Sequence, residues 1–152
     1  MPGLILLDTD ESLKGELHAM WAADLALIAL HPANRLFTGR VPTITGTDTA
    51  PAPMPYTRLA VPGGSRGQRT STTQYPTQPI EFHLWTDTAE QADSIADAIQ
   101  DCFQDKDFTY DRGKVLDIHY ESTNQAQITK PNYTAWETVV KFTLLTERTR
   151  TN

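Results

Sequence analysis

The sequence predicts an α+β domain, an antiparallel sheet of about four strands with two main helices packed on one face. Three observations lead there. Apolar residues recur at three- and four-residue spacing in two stretches, one near the N-terminus and one over 89–103. They alternate with polar residues over 80–85, 116–121 and 136–144, and a further short run spans 56–61. The 152 residues match one domain of ordinary size, with no internal repeat, low-complexity run or heptad array.

Each element has a local reason. Asp8-Thr9-Asp10-Glu11-Ser12 reads as a helix start, because acidic side chains suit the positive end of the helix dipole. Leu13, Leu17, Met20, Trp21, Leu25 and Ile28 then form one apolar stripe on a helix of about five turns. His31-Pro32 stops it, since the residue before proline avoids helical geometry. Over 42–55 the composition turns to Thr, Pro, Ala and Gly, and Pro42, Pro51, Pro53 and Pro55 donate no ladder hydrogen bonds. This segment reads as a surface connection running over a single domain that spans 1–152. Tyr56 to Val61 is a short strand. Residues 62–74 read as a flexible loop, because Gly63, Gly64 and Gly67 disfavour any regular element.

The second half is more sharply patterned. Ile80, Phe82 and Leu84 alternate with Glu81, His83 and Trp85, and Pro79 can open that strand. Thr88-Ala89-Glu90-Gln91 has the capping-box pattern. Ala92, Ile95, Ala96, Ile99, Cys102 and Phe103 then make one apolar helix face, with Asp93, Asp97 and Gln100 turned away. The next strand sets Leu116, Ile118 and Tyr120 against Asp117, His119 and Glu121. The last sets Trp136, Val140, Phe142 and Leu144 against Glu137, Val139, Lys141 and Thr143. A polar face on every strand leaves one side of the sheet open to water or a partner, and edge strands suit oligomerisation.

Composition narrows the function classes. Hydrophobic residues are 39% and charged residues 21% of the chain, a globular balance. A formal net charge of −6 argues against a sequence-wide nucleic-acid surface, which needs clustered Lys and Arg. It is compatible with a passage for DNA, where sticking would be a disadvantage. Cys102 is the only cysteine, so no internal disulfide forms, and its neighbours Ile99 and Phe103 mark a packed thiol. The N-terminus lacks a signal-peptide pattern, and Gly3-Leu4-Ile5-Leu6-Leu7 is too short to span a bilayer. The expectation is a soluble cytoplasmic chain that uses no membrane.

No catalytic set emerges. Gly63-Gly64-Ser65-Arg66-Gly67 lacks the Lys-Ser/Thr pair or the GxGxxG turn of a phosphate loop, and a strand follows it. No Ser-His-Asp arrangement has a nucleophile elbow. His83 and His119, expected on adjacent strands with Glu81, Asp117 and Glu121 nearby, have the chemistry to ligate zinc or non-haem iron. A metal-dependent enzyme is thus one alternative reading. A half-exposed strand also collects charge on one face for no catalytic reason. No cofactor is expected.

The ordered motifs resemble the tail terminator (tail completion, head–tail joining) family of long-tailed bacteriophages and gene-transfer agents. An N-terminal amphipathic helix precedes Gly39-Arg40-Val41. Pro55-Tyr56 opens the first strand, and Thr70-Ser71 follows the Gly-rich loop. His83 and Trp85 end a strand before the helix, and Phe142, Leu145, Thr146 and Glu147 lie in the closing strand. The connection from Thr43 to Met54 is longer than the family's. The resemblance implies a non-enzymatic virion protein. Such proteins form a homo-hexameric ring at the head-proximal end of the tail, end tube polymerisation and dock onto the head connector. The implied partners are further copies of the chain, the tail tube protein and the connector, with DNA only as passing cargo. A different oligomeric head–tail junction or binding module is the other alternative. A closed ring needs a head-to-tail interface. Its expected residues are Arg58, Arg66 and Arg69 on one side and Asp107, Asp111 and Glu121 on the other.

Overall fold

The structure is a computed structural model that describes residues 2–38, 54–62, 65–69, 73–111, 113–131 and 133–149. Helix α1 (Pro2–Ala23) leads into the short α2 (Leu25–Leu30) and a 3-10 turn at Ala33–Arg35. Strands β1 (Leu36–Phe37), β2 (Tyr56–Ala60), β3 (Ser65–Arg69) and β4 (Thr73–Thr86) follow. Helix α3 (Ala89–Phe103) comes next, then β5 (Phe108–Tyr110), β6 (Gly113–Lys130) and β7 (Tyr133–Thr149).

The expected α+β domain with a sheet of about four antiparallel strands is overturned, because the fold is mostly sheet. One curled, mixed sheet runs β1-β2-β4-β7-β6-β5, and β3 pairs with β4 beside that path. The β1–β2 pair is parallel, and each other pair is antiparallel. The extra strands β1, β3 and β5 are two, five and three residues long. The two- and three-residue runs of β1 and β5 are too short for an alternation to register. In β3 the ladder with β4 outweighs the glycine cost, so residues read as loop hold a strand. Strand β4 begins at Thr73, well before the alternating stretch, because its first half pairs with the end of β7 from Thr73↔Thr149 onward. Residues 39–53, which include most of the expected Pro/Thr-rich connection, lie outside the described residues.

Helix α1 starts earlier than its acidic run, and the helical segment breaks at Asp24. The Asp24 carboxylate accepts the Leu27 N–H at 2.9 Å and caps α2. This new start re-phases the stripe. Leu13, Leu17 and Trp21 are buried as spacing requires, but α2 buries Leu27 and leaves Leu25 78% exposed. His31 caps the C-terminal end of α2. Helix α3 follows its sequence pattern: the Thr88 hydroxyl accepts the Gln91 N–H, and Ala92, Ile95, Ala96, Ile99, Cys102 and Phe103 are buried.

The core lies between the helices and one face of the sheet. Phe103 of α3 stacks on Phe82 of β4, centroids 4.9 Å apart, and Trp21 of α1 leans on both. Phe142 of β7 meets Phe82 and Phe103 edge-on. Each such ring contributes about 1.5–3 kcal/mol through burial. Cys102 donates its thiol to the Met20 carbonyl at 3.7 Å, and burial pushes that thiol up to about 12. Two bulges in β6, at Leu116 and Glu121, change which side chains face this core. Val115 and Ile118, three residues apart, are both fully buried, while Leu116 is only half-buried. A strict period of two had assigned Leu116 to the core.

Ile99→Ala should cost about 2–4 kcal/mol in urea melts, the range for truncating a fully buried aliphatic side chain. Thr88→Ala, which removes only a cap, should cost about 1 kcal/mol; the reverse ranking would contradict the buried face assigned to α3. Gly113 sits at the start of β6, where a Cβ would run into the Glu147 carbonyl oxygen and lie 3.2 Å from the Arg148 Cα. Both contacts are backbone, so Gly113→Ala should lower stability by about 1–3 kcal/mol, and an unchanged melting midpoint would refute the close approach.

Candidate functional site

The sheet face opposite the helices carries polar and aromatic side chains, and no helix among the described residues packs on it. Alternation puts Tyr56 and Arg58 of β2, Glu81, His83 and Trp85 of β4, and Glu137 and Lys141 of β7 on this side. Tyr56 stacks on Trp85 at 6.0 Å with 18° between planes, and Phe37 of β1 meets Tyr56 edge-on. Tyr56 is therefore buried, and desolvation, with Tyr133 and Glu137 nearby, pushes its hydroxyl up to about 12.

His83 stands between two carboxylates. Its Nε2 lies 2.9 Å from Glu81 Oε1, and its Nδ1 lies 3.6 Å from Glu137 Oε2. Lys141 Nζ reaches Glu81 Oε2 at 4.0 Å. The register explains the cluster, since Glu81 pairs with Lys141, His83 with Val139 and Trp85 with Glu137. Arg58 is directly across from His83 and is exposed.

The metal reading fails on this topology. His83 and His119 are not on neighbouring strands, because β7 runs between β4 and β6. Through β7, His83 is opposite Val139 and His119 opposite Thr143. Two strand spacings separate them by about 10 Å across the sheet, and four residues by about 13 Å along it. The two nitrogens of His83 also face different carboxylates, so its acidic neighbours ring no common point. No group of three His, Cys, Asp or Glu among the described residues could hold a metal ion. No helix among the described residues is long and apolar enough to cross a membrane.

The expected interface residues fall at the two ends of the sheet. Arg58 is on β2 at one end. Arg66 and Arg69 belong to β3 on that same side of β4, with Arg69 paired to Gln74; their side chains lie outside the described residues. Asp107 and Asp111 flank β5 at the other end and are exposed. The Asp111 N–H donates to Ser12 Oγ at 3.1 Å. Glu121 occupies the second bulge of β6, 3.8 Å from His119 Nε2. The basic and acidic sets are therefore not brought together within one chain.

Sequence reasoning missed two features. One is the partnership of Glu137 and Lys141 with Glu81 and His83, which depends on cross-strand register. The other is the outer edge of β6. Near the body, the turn after α3 covers this edge: Asp105 N–H donates to the Ile118 carbonyl and Tyr120 N–H to Gln104 Oε1, both at 2.9 Å. Beyond Glu121, Thr123 to Gln127 are exposed, and no described strand pairs with that side of β6. The polar run Ser122-Thr123-Asn124-Gln125 hinted at exposure but not at an unpaired edge.

No protein-family model matches the chain, and no curated protein matches it in sequence. A solved chain from the "Virion of native gene transfer agent (GTA) particle" is similar in fold, with a TM-score of 0.67 and 14% identity. The similarity covers 86% of this chain and 91% of that one. At that identity the likeness is one of fold.

The Glu81–His83–Glu137–Lys141 cluster is partly solvated, and such pairs contribute little to stability. Glu81→Gln or Glu137→Gln should therefore shift unfolding by less than about 1 kcal/mol. A loss above about 2 kcal/mol in either variant would make the cluster a structural support instead of a surface available for function.

Proposed function

We propose that this chain is a structural subunit of a phage-type virion, a tail terminator that closes into a hexameric ring at the head-proximal end of the tail. In that role it ends tube polymerisation, meets the tail tube protein on one side of the ring and the head connector on the other, and performs no catalysis. The observation that carries the reading is the fold shared with a gene transfer agent virion chain over 86% of this sequence. The ordered motifs from Gly39-Arg40-Val41 to Glu147, which resemble the tail terminator family, supply the finer assignment.

The sheet suits a head-to-tail contact. A ring needs two different surfaces on each subunit that fit one another. Arg58, with the β3 residues Arg66 and Arg69, belongs to one end of the sheet, and Asp107, Asp111 and Glu121 belong to the other. Opposite charges at opposite ends favour addition of the next copy in one orientation and disfavour like ends meeting. A standard interface takes about 800 Å² from each partner. Two such patches are a modest share of the 8746 Å² surface. The sheet face on which no described helix packs carries Glu81 and Glu137 beside Arg58, His83 and Lys141, a mixed charge compatible with passing DNA without a basic groove.

Light scattering on the assembled protein should give a hexamer of about 100 kDa, six times the 17.0 kDa subunit. Reversing charge at Arg66 and Arg69 together should weaken the ring while leaving the subunit folded. In a phage carrying that change, tails should overrun their length or fail to join heads. Normal tails and full infectivity would remove these residues from the interface, and unchanged tails after deletion of the gene would overturn the terminator role.

A further inference from the structure

His31 is a fully buried imidazole with a partner on each ring nitrogen. Its Nδ1 lies 3.1 Å from the Pro32 carbonyl and its Nε2 lies 2.9 Å from Thr57 Oγ1 on β2, a hydroxyl that is itself fully buried. A carbonyl only accepts, so Nδ1 carries the proton and Nε2 accepts from the threonine. The Trp21 indole N–H donates to the His31 carbonyl at 3.0 Å, and the two rings meet edge to face at 4.8 Å. One residue thus joins α1, the end of α2 and the sheet. The 3-10 turn leads directly into β1, which lies along Thr57 and Arg58. Whatever holds His31 also holds the outer cover of β2.

We propose that neutral His31 is an acid-sensitive latch, and that its protonation releases residues 24–37 from β2 while the α3–β4–β7 core stays folded. A second proton on Nε2 would turn the acceptor that faces Thr57 into a donor. It would also strand a cation away from water and beside the guanidinium of Arg35, whose Nε is buried without a hydrogen-bond partner. Leu27 and Leu36 of the segment pack on the edge of the core, but α3 meets β4 and β7 through Phe103, Phe82 and Phe142, contacts that residues 24–37 do not make. Other charged or titratable groups stand close by. His18 of α1 contacts the Ala33 carbonyl at 2.9 Å, Asp24 caps α2, Cys102 of α3 bonds to Met20, and Arg58 is on the opposite face of β2.

Desolvation, reinforced by Arg35, lowers His31 from 6.5 to about 4. The open segment therefore binds more protons than the closed one as pH falls between those values. The closed state is favoured in full above the open-state value, and that advantage is lost as pH falls toward the lower one. The opening equilibrium of 24–37 should rise about 20-fold by pH 5 relative to neutral pH.

Hydrogen exchange on the intact protein, corrected for intrinsic rates, should show that rise in peptides from 24–37 and none in 92–103. His31→Gln should flatten the response, whereas His18→Gln and Asp24→Asn should retain it. A response that persists in His31→Gln, or disappears in His18→Gln, would overturn the latch. Should His31→Gln fail to fold, NMR titration of the unaltered protein decides. A His31 ring that titrates near its ordinary value with 24–37 still protected overturns the proposal, and one that titrates only as the segment opens supports it.

Discussion

The contact on which the rest of the molecule depends is the stack of Phe103 on Phe82. It joins the amphipathic helix α3 to a central strand of the sheet, at a site sealed by Trp21, Phe142 and the aliphatic residues around them. The burial of these rings fixes where α3 sits, and through Trp21 it fixes where α1 lies. His31 then extends the same arrangement to β2 and β1 by hydrogen bonds instead of apolar contact. The two kinds of attachment differ in their response to conditions. Apolar burial is indifferent to proton concentration, whereas a buried imidazole is stable only while neutral.

The opposite face of the sheet follows different rules. Once the apolar residues of β4 and β7 are committed to the helices, alternation sends Glu81, His83, Trp85, Glu137 and Lys141 to the other side. Their mutual contacts are partly solvated, so this surface can change with little cost to the fold. The sheet ends unevenly. Part of β6 is blunted by two bulges and the turn after α3, while no described strand pairs with the outer side of the stretch beyond Glu121. Open edges are a hazard for an isolated domain, and in a ring-forming subunit they are where a neighbour would add.

Much of the secondary structure was legible residue by residue. The cap at Thr88, the buried face from Ala92 to Phe103, and the alternation in β4 and β7 all follow from neighbours close in sequence. Local signals also misled. Asp24 caps a second helix and turns Leu25 outward, which a continuous stripe could not reveal. Gly63, Gly64 and Gly67 read as loop, yet Ser65–Arg69 gains a ladder with β4 that those residues do not advertise. The bulge at Leu116 moves Val115 into the core against the simple period.

By itself the sequence determined the buried face of α3 and the separation of polar from apolar sides along the second half of β4 and along β7, while the α+β class it suggested gave way to a mostly-sheet fold. It also put its basic and acidic interface candidates in different parts of the chain. Only the tertiary structure decided how many strands join, that β7 divides His83 from His119, that Glu137 and Lys141 complete the cluster around His83, and that His31 closes onto Thr57. The physical reason is range. Caps and periodicity arise from residues within a turn or two of one another, whereas strand order and register depend on partners tens of residues away.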